Sequence, residues 1–326
     1  APEALTYGPT IESPPSASYL AHPDGPLFSA LTDAGYAPRF ITPAEISQSK
    51  IIFMPYVESL SEDNARRLTD FVAGGGVLVA LPKLAEYDEA GRPFTTLPGA
   101  GIDDLFGIRT GKEWIGRQSF VPLPGFDAAA KLMAEIYKPR EKMTEEERKG
   151  AGILSFNLMP GYGGQPMRLV SQAHVEVEPI AADLKVLASH EDRIPALTWR
   201  RHGKGQAIFL NILRNWPGEL HVPSTMHEAT YAAVLRVLAE HAGVEPYAWF
   251  EDLKGTGHVA PQIVTYRYGW GGNSRILGVF NDWRSARAET RLVFQKPVRA
   301  VYDLLAGKRL TVRDHLGRSS VYVPVA

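Results

Sequence analysis

With 326 residues, 35 Lys+Arg against 36 Asp+Glu, a formal net charge of −1 and no cysteine, the chain is long enough for one large domain and a smaller one. The charge balance argues against a nucleic-acid-binding surface, which carries a basic excess, and no apolar run approaches the ~20 residues of a membrane-spanning helix. Without cysteine there is no disulfide, thiolate metal site or cysteine nucleophile, although the compartment stays open between cytoplasm and export. The chain starts at Ala1 rather than Met, which reads as a processed or cut-down polypeptide, so a missing signal peptide says nothing about export.

In chain order, Leu5 to Thr10 reads as an edge or opening strand, and Pro14-Pro15 and Pro23 to Pro26 as loop. Leu27 to Gly35 has the spacing of a helix, with Leu27, Phe28 and Leu31 on one side and Gly35 as its stop. Arg39-Phe40-Ile41 reads as a short strand, and Thr42-Pro43-Ala44-Glu45 as the capped start of a short helix. The organising stretch follows. Ile51 to Pro55 and Val77 to Leu81 are short apolar runs flanking a periodic segment from Ser61 to Ala73, the pattern of a βαβ unit with buried parallel strands. Ser61 is a good N-cap, and Glu62 and Asp63 complement the positive end of the helix dipole. Ala65, Leu68, Phe71 and Val72 make the face that covers the sheet, and Gly74 is expected to be the left-handed stop.

After Leu81 the chain is loop-like through Pro98 to Gly101, Ile102 to Phe106 suits a short helix, and Gly111 to about Gly164 is the least regular region. Lys138 to Lys149, dense in both signs of charge, reads as a solvated helix or excursion. Gly161-Tyr162-Gly163-Gly164 follows no clear strand and opens no clear helix, so it fails the context test for a phosphate loop. Periodicity returns at Ala173 to Glu178 and Leu184 to Ala188, and Ile194 to Trp199 with Gln206 to Leu213 forms a hairpin around Gly203 and Gly205. Glu228 to His241 is a second amphipathic helix with Gly243 as its stop, and Glu245-Pro246 marks a boundary. Beyond it, Gln262–Tyr268, Arg275–Phe280, Thr290–Phe294, Ala300–Tyr302, Arg309–Val312 and Ser320–Val325 are short alternating runs, the signature of a small antiparallel sandwich.

Several of these segments carry a resemblance: Phe53-Met54-Pro55, Ser61 to Leu68, Phe71 to Val79, Leu105 to Ile108, Pro195 to Thr198, Gly203 to Leu210, Ala242-Gly243-Val244, Leu277 to Asn281 and Val301 to Lys308. In this order the chain resembles the non-catalytic C-terminal half of glycoside hydrolase family 42, the bacterial β-galactosidases. The resemblance implies a trimerisation domain with a flavodoxin-like α/β fold, like that of class I glutamine amidotransferases, followed by the family's last β-domain. The expected fold class is therefore α/β, residues 1–246, then a β-sandwich, residues 247–326. The family's two catalytic glutamates lie in a TIM barrel for which this chain has no room, so neither is carried over. Long excursions between residues 111 and 172 depart from the family pattern.

The amidotransferase-like fold places its nucleophile at the sharp turn after the strand equivalent to Val77–Leu81, where a Cys or Ser stands clear of the backbone. Here the turn reads Pro82-Lys83-Leu84-Ala85, and Lys83 is expected to be a surface lysine. Glycoside hydrolysis needs carboxylates about 5 to 9 Å apart. Asp103-Asp104 reads instead as the cap of the Leu105 turn, and Glu251-Asp252 as decoration at the sandwich start. His202, His221 and His227 show no metal spacing; His174, Glu176 and Glu178 share a strand face that suits either ligands or a polar edge. Tyr266, Tyr268, Trp270 and Trp283 are the candidates for stacking on sugar C–H faces, against the alternative that they fill the sandwich core. Trp114, Trp199, Trp216 and Trp249 are candidates for a subunit contact. No cofactor and no catalytic residue are assigned. The expected partners are further copies of the chain (a trimer, by the resemblance) or a catalytic barrel domain, and carbohydrate, with neither nucleic acid nor membrane. Two alternatives stay open: a free-standing carbohydrate-binding protein, and a divergent enzyme of the amidotransferase-like fold.

Overall fold

The computed structural model describes residues 26–115, 119–122, 168–171, 173–212, 231, 234–236, 238–252, 263–269, 275–281, 288–315 and 317–325. Helices α1 (Pro26–Asp33), α2 (Glu62–Ala73) and α3 (Ile102–Phe106) are described, with a 3-10 helix at Pro43–Gln48 and, later in the chain, helical residues at 231, 234–236 and 238–241. Strands β1 (Ile51–Met54), β2 (Val77–Ala80), β7 (Lys185–Ser189), β8 (Pro195–His202) and β9 (Gly205–Leu210) form one sheet in the order β1-β2-β9-β8-β7. The first three run parallel, β8 returns antiparallel to β9, and β7 is antiparallel to β8. The pairs β3 (Ile108–Ile115) with β6 (His174–Pro179), and β4 (Ser119–Pro122) with β5 (Arg168–Ser171), stand beside it.

Strands β1, β2 and β9 are covered on both faces, which is why they are largely apolar runs, whereas β7 and the end of β8 reach solvent. Val77, Val79, Ile208 and Leu210 face Leu27, Ala30 and Leu31 of α1 together with Val234, Leu235 and Leu238 of the later helix. Ile52, Met54, Leu78, Ala80 and Phe209 face Ala65, Leu68, Phe71 and Val72 of α2 together with Leu105 and Phe106 of α3. Ser61 caps α2 as its sequence indicates, its hydroxyl accepting the Asn64 amide at 3.3 Å.

The stop of α2 differs by one residue from expectation. Gly74 is right-handed at φ −72°, and Gly75 takes the left-handed position at φ +120°. The amides of Gly75 and Gly76 bond the carbonyls of Val72 and Phe71, the paired bonds of a Schellman stop. Gly35 and Gly243 end their helices by the same pattern. At the hairpin between β8 and β9, a Cβ on Gly205 would sit 2.2 Å from the carbonyl oxygens of Val72 and Gly76. The hairpin therefore lies directly on the end of α2.

Arg39-Phe40-Ile41 forms no strand, because among the described residues no neighbouring strand offers it a ladder. Conversely β3 lies in a stretch without clear period: it is stabilised by pairing with β6 across an irregular register between Thr110 and Trp114. Asp103 and Asp104 sit inside the first turn of α3 rather than capping it; the N-cap is Gly101 at φ +75°. The charge-rich 138–149 segment and the 161–164 glycines lie outside the described residues.

After residue 247 every regular element among the described residues is a strand. β10 (Ala248–Asp252), β13 (Ala288–Phe294), β17 (Arg318–Val325) and β16 (Arg313–His315) make an antiparallel sheet in that order; β11 (Ile263–Gly269) pairs with β12 (Arg275–Asn281), and β14 (Val301–Asp303) with β15 (Lys308–Leu310). The run expected at Arg309–Val312 is divided: the β14 ladder ends at Leu310, and Arg313 starts a new strand against β17. Ala248, Leu292, Phe294 and Val321 form the small core of this part.

Candidate functional site at the carboxyl ends of the parallel strands

Parallel strands deliver all their carboxyl ends to one side, where open α/β sheets collect their functional groups. Here the loops after β1 and β2 are laced to each other. The amide of Ala85 donates to Val57 O at 2.7 Å, that of Glu86 to Glu58 O at 2.7 Å, and that of Leu60 to Tyr87 O at 3.0 Å. Three side-chain-bearing residues in these loops are left-handed: Tyr56 at φ +48°, Lys83 at +62° and Ala85 at +48°. Such residues persist only where surrounding structure over-determines them. The sharp turn expected after β2 is therefore present.

Its occupant is not the surface lysine expected from sequence. The Lys83 side chain is only 14% exposed, and its ammonium donates to Lys112 O at 2.8 Å and pairs with Glu86, itself 6% exposed, at 3.2 Å. Glu58 lies in the same field: burial raises its carboxyl above the usual range, the Glu86 charge adds to this, and Lys83 opposes it. The turn that would hold a nucleophile thus holds a neutralised lysine–carboxylate cluster.

The carboxyl end of β9 carries a second polar group in the interior. Asn211 is fully buried; its Oδ1 accepts the Val175 amide at 3.0 Å, and its Nδ2 donates to Val175 O at 2.8 Å and Pro195 O at 3.0 Å. It therefore joins β6 to β8. The Asn211 carbonyl accepts His190 Nε2–H at 2.8 Å, which assigns the proton of neutral His190 to Nε2. His190 stacks on His174 with ring centroids 3.8 Å apart. His174 Nε2 lies 2.8 Å from Asp192 Oδ2, and its buried Nδ1 has no hydrogen-bond partner among the described residues. Burial, then the neighbouring His174, lowers His190 to about 4. Burial acts to raise the Asp192 carboxyl but is outweighed by the Ile194 amide and the His174 ring, so it sits below its usual range.

The expected ligand face of His174, Glu176 and Glu178 is split by this burial, since His174 is enclosed while both glutamates are exposed. Among the described residues no group of three histidines or carboxylates could hold a metal ion. Glu251 and Asp252 end β10, opposite Arg291 and Thr290. His202 pairs with Gly205 at the hairpin, and His221 and His227 lie outside the described residues.

The tryptophans divide. Trp249 is 2% exposed within the single chain, its ring between the guanidinium groups of Arg236 at 4.2 Å and Arg318 at 5.3 Å, so it serves an internal joint and not the expected subunit contact. Trp199 is half-buried, donating to Gln206 at 2.7 Å with Lys185 over its ring. Nothing is described of the Trp114 side chain or of Trp216. Tyr266 and Tyr268 stand on β11, opposite Gly278 and Ile276, with only their backbone described; Trp270 and Trp283 lie outside the described residues.

Sequence reasoning missed Asn211, His190 and Asp192. The one available signal was an asparagine directly following the apolar run Ala207–Leu210, where a buried strand leaves the sheet.

Residues 26–147 match the family described as the β-galactosidase trimerisation domain. No curated protein matches the chain. Among solved structures, the β-galactosidase from Bacillus circulans sp. alkalophilus is similar over 98% of this chain and 38% of its own, at 16% identity and TM-score 0.60. Gan42B, a family 42 β-galactosidase from G. stearothermophilus, is similar over the same shares at 16% identity and TM-score 0.59. The β-galactosidase from the Antarctic haloarchaeon Halorubrum lacusprofundi covers 94% of this chain and 36% of its own, at 14% identity and TM-score 0.51. The chain thus spans well under half the length of these relatives. Residues 26–147 thus match the β-galactosidase trimerisation-domain family, and the chain as a whole shares the fold of a part of these β-galactosidases.

Proposed function

We propose that this chain is the oligomerisation and accessory region of a family 42-type β-galactosidase acting on carbohydrate. It fixes a trimer and helps to wall the active site of a neighbouring subunit or catalytic barrel domain. The observation that carries this reading is the trimerisation-domain match over residues 26–147, which starts at α1 and runs through the βαβ unit into β3. The neutralised Lys83–Glu86 pair at the turn after β2 is consistent with a scaffold role at that turn.

In this reading residues 1–246 form a flavodoxin-like domain, supported by the parallel order β1-β2-β9 with helices on both faces. Residues 247–326 form the sandwich, supported by the antiparallel sheet that begins at β10. Tyr266, Tyr268, Trp270 and Trp283 are its candidate sugar contacts; in favour is the two-residue spacing of the tyrosines on β11, which puts them on one face.

The test is the mass of this chain in solution by light scattering across a concentration series. A trimer supports the assembly role. A monomer at all concentrations rules out self-sufficient trimerisation and leaves a barrel-dependent accessory role.

A further inference from the structure

The boundary at Glu245-Pro246 is not an exposed linker, which is where domains ordinarily divide. Pro246, Ala248 and Trp249 are buried and Tyr247 is half-buried, so the chain enters β10 through the interior. Tyr247 N–H donates to Gly35 O at 3.0 Å, and Tyr247 O accepts Gln295 N–H at 3.1 Å. One residue thus ties the stop of α1 to the chain just after β13. The approach is as close as a glycine permits: a Cβ on Gly35 would lie 2.4 Å from Ala248 O and 3.1 Å from the Pro246 Cβ. The next residue, Tyr36, places its hydroxyl 3.2 Å from Val244 O and 3.4 Å from Arg236 O, joining the end of α1 to the later helix and the chain that leaves it.

Trp249 adds a clamp with one jaw from each part. Arg236 belongs to the later helix and Arg318 to β17, and their guanidinium groups lie 4.2 and 5.3 Å from the centre of the indole ring. Arg236 is 3% exposed and is held by Glu240, one turn on, at 2.9 Å. A cation's attraction for an indole face strengthens as the pair loses water, so this enclosed pair is stronger than a surface one. Tyr247 packs edge-on against Phe294 with ring centres 6.4 Å apart. α1 also lies beside β11. A body attached at one point pivots, and at two it swings about the line between them. Here the Gly35 contact, the Trp249 clamp and the α1–β11 contact leave neither freedom.

We propose that residues 244–249 form a keyed joint, with Trp249 as its clamp, that holds the strand-only part in one pose on the α/β part. The strand part is then a fixed extension of the layer that carries the trimerisation-domain match, and not a module that swings. A carbohydrate surface on it keeps one direction relative to that layer. This suits the walling of a neighbouring active site and disfavours a mobile sugar-binding module. That consequence rests on the proposed accessory role; the joint itself does not.

The chain has no cysteine, so two introduced cysteines are the only sites for thiol spin labels. Arg67→Cys on α2 and Arg313→Cys on β16 are at exposed positions, one on each part. Pulsed electron–electron double resonance reads the distance between them, with labelled protein diluted in excess unlabelled chain so that only pairs within one copy contribute. With Trp249 in place the distance distribution is single and narrow. Trp249→Ala roughly doubles its width or adds a second distance, as the ordinary relative motion of domains returns. A broad or multiple distribution with Trp249 in place overturns the joint, and a Trp249→Ala distribution as narrow as the parent's overturns the clamp. If Trp249→Ala does not fold, Arg318→Met decides, since it removes one guanidinium and keeps an aliphatic stem: broadening supports the clamp, and an unchanged width refutes it. Because the labels report on single copies, a monomer in light scattering removes self-sufficient trimerisation and leaves this result standing.

Discussion

Replacing Asn211 by leucine keeps the branched four-atom skeleton and removes both polar atoms of a fully buried side chain. Three main-chain groups lose their partners: the Val175 amide, the Val175 carbonyl and the Pro195 carbonyl, now held at 3.0, 2.8 and 3.0 Å. Each is enclosed, and a buried main-chain group left unsatisfied costs about 1–3 kcal/mol. Partial relaxation brings the sum to about 3–6 kcal/mol, a large share of the ~5–15 kcal/mol that holds a domain folded. With a urea slope of about 2–3 kcal/mol per molar, the unfolding midpoint falls by about 1–3 M at unchanged slope. Asn211→Asp separates the contributions, since it keeps an acceptor for the Val175 amide but turns a carboxylate toward two carbonyl oxygens; it should be at least as damaging as leucine. Urea titrations followed by tryptophan fluorescence and far-ultraviolet circular dichroism make the measurement. A loss below about 1 kcal/mol for Asn211→Leu would show that β6 is joined to β8 by packing alone, and the reasoning from unsatisfied groups would fail.

Three other outcomes follow from the same structure. His190, lowered in the fold to about 4, binds a proton in the unfolded chain near its ordinary 6.5, so its contribution is fully present above about pH 6.5 and is lost as pH falls toward 4, by about 3 kcal/mol in total; His190→Gln flattens the stability–pH curve over that window, and parallel curves for the two proteins refute this. Gly205→Ala drives a Cβ to 2.2 Å from two carbonyl oxygens and should prevent normal folding, whereas Gly307→Ala, left-handed at φ +62° but in open space, costs only about 1–2 kcal/mol; similar melting temperatures for the two would contradict the close-approach argument. Lys83→Met leaves the Glu86 carboxylate enclosed without its cation and costs about 3–5 kcal/mol, and adding Glu86→Gln recovers most of it; additive losses in the double variant would mean that the pair is not coupled.

The βαβ unit was legible because its determinants are local. Ser61, the apolar spacing of Ala65, Leu68, Phe71 and Val72, and the two flanking runs each act within a turn or a strand of their own position. Even there the stop slipped by one residue: Gly74, Gly75 and Gly76 are chemically alike, and only the packing of Phe71 and the adjacent hairpin selects Gly75 for the left-handed place. β3 was not legible, because a strand in contact with one partner takes its stability from that partner, here β6, which pairs Ile115 with His174 and Ile108 with Pro179 from far along the chain. Lys83 was misread for a related reason. Nothing around it in sequence announces that loops after two different strands fold together and enclose it with Glu86 and the Lys112 carbonyl.

The sequence by itself determined the locally specified elements, the two textures of the chain and the resemblance to a β-galactosidase accessory region, since helix caps, glycine stops and hydrophobic period are properties of neighbouring residues. Only the tertiary structure decided the strand order, the fate of Lys83, and the burial of Asn211, His174, His190 and Trp249. These depend on contacts between segments far apart in the chain. Whether a polar group is a surface feature or an interior one is set by what arrives from the other side.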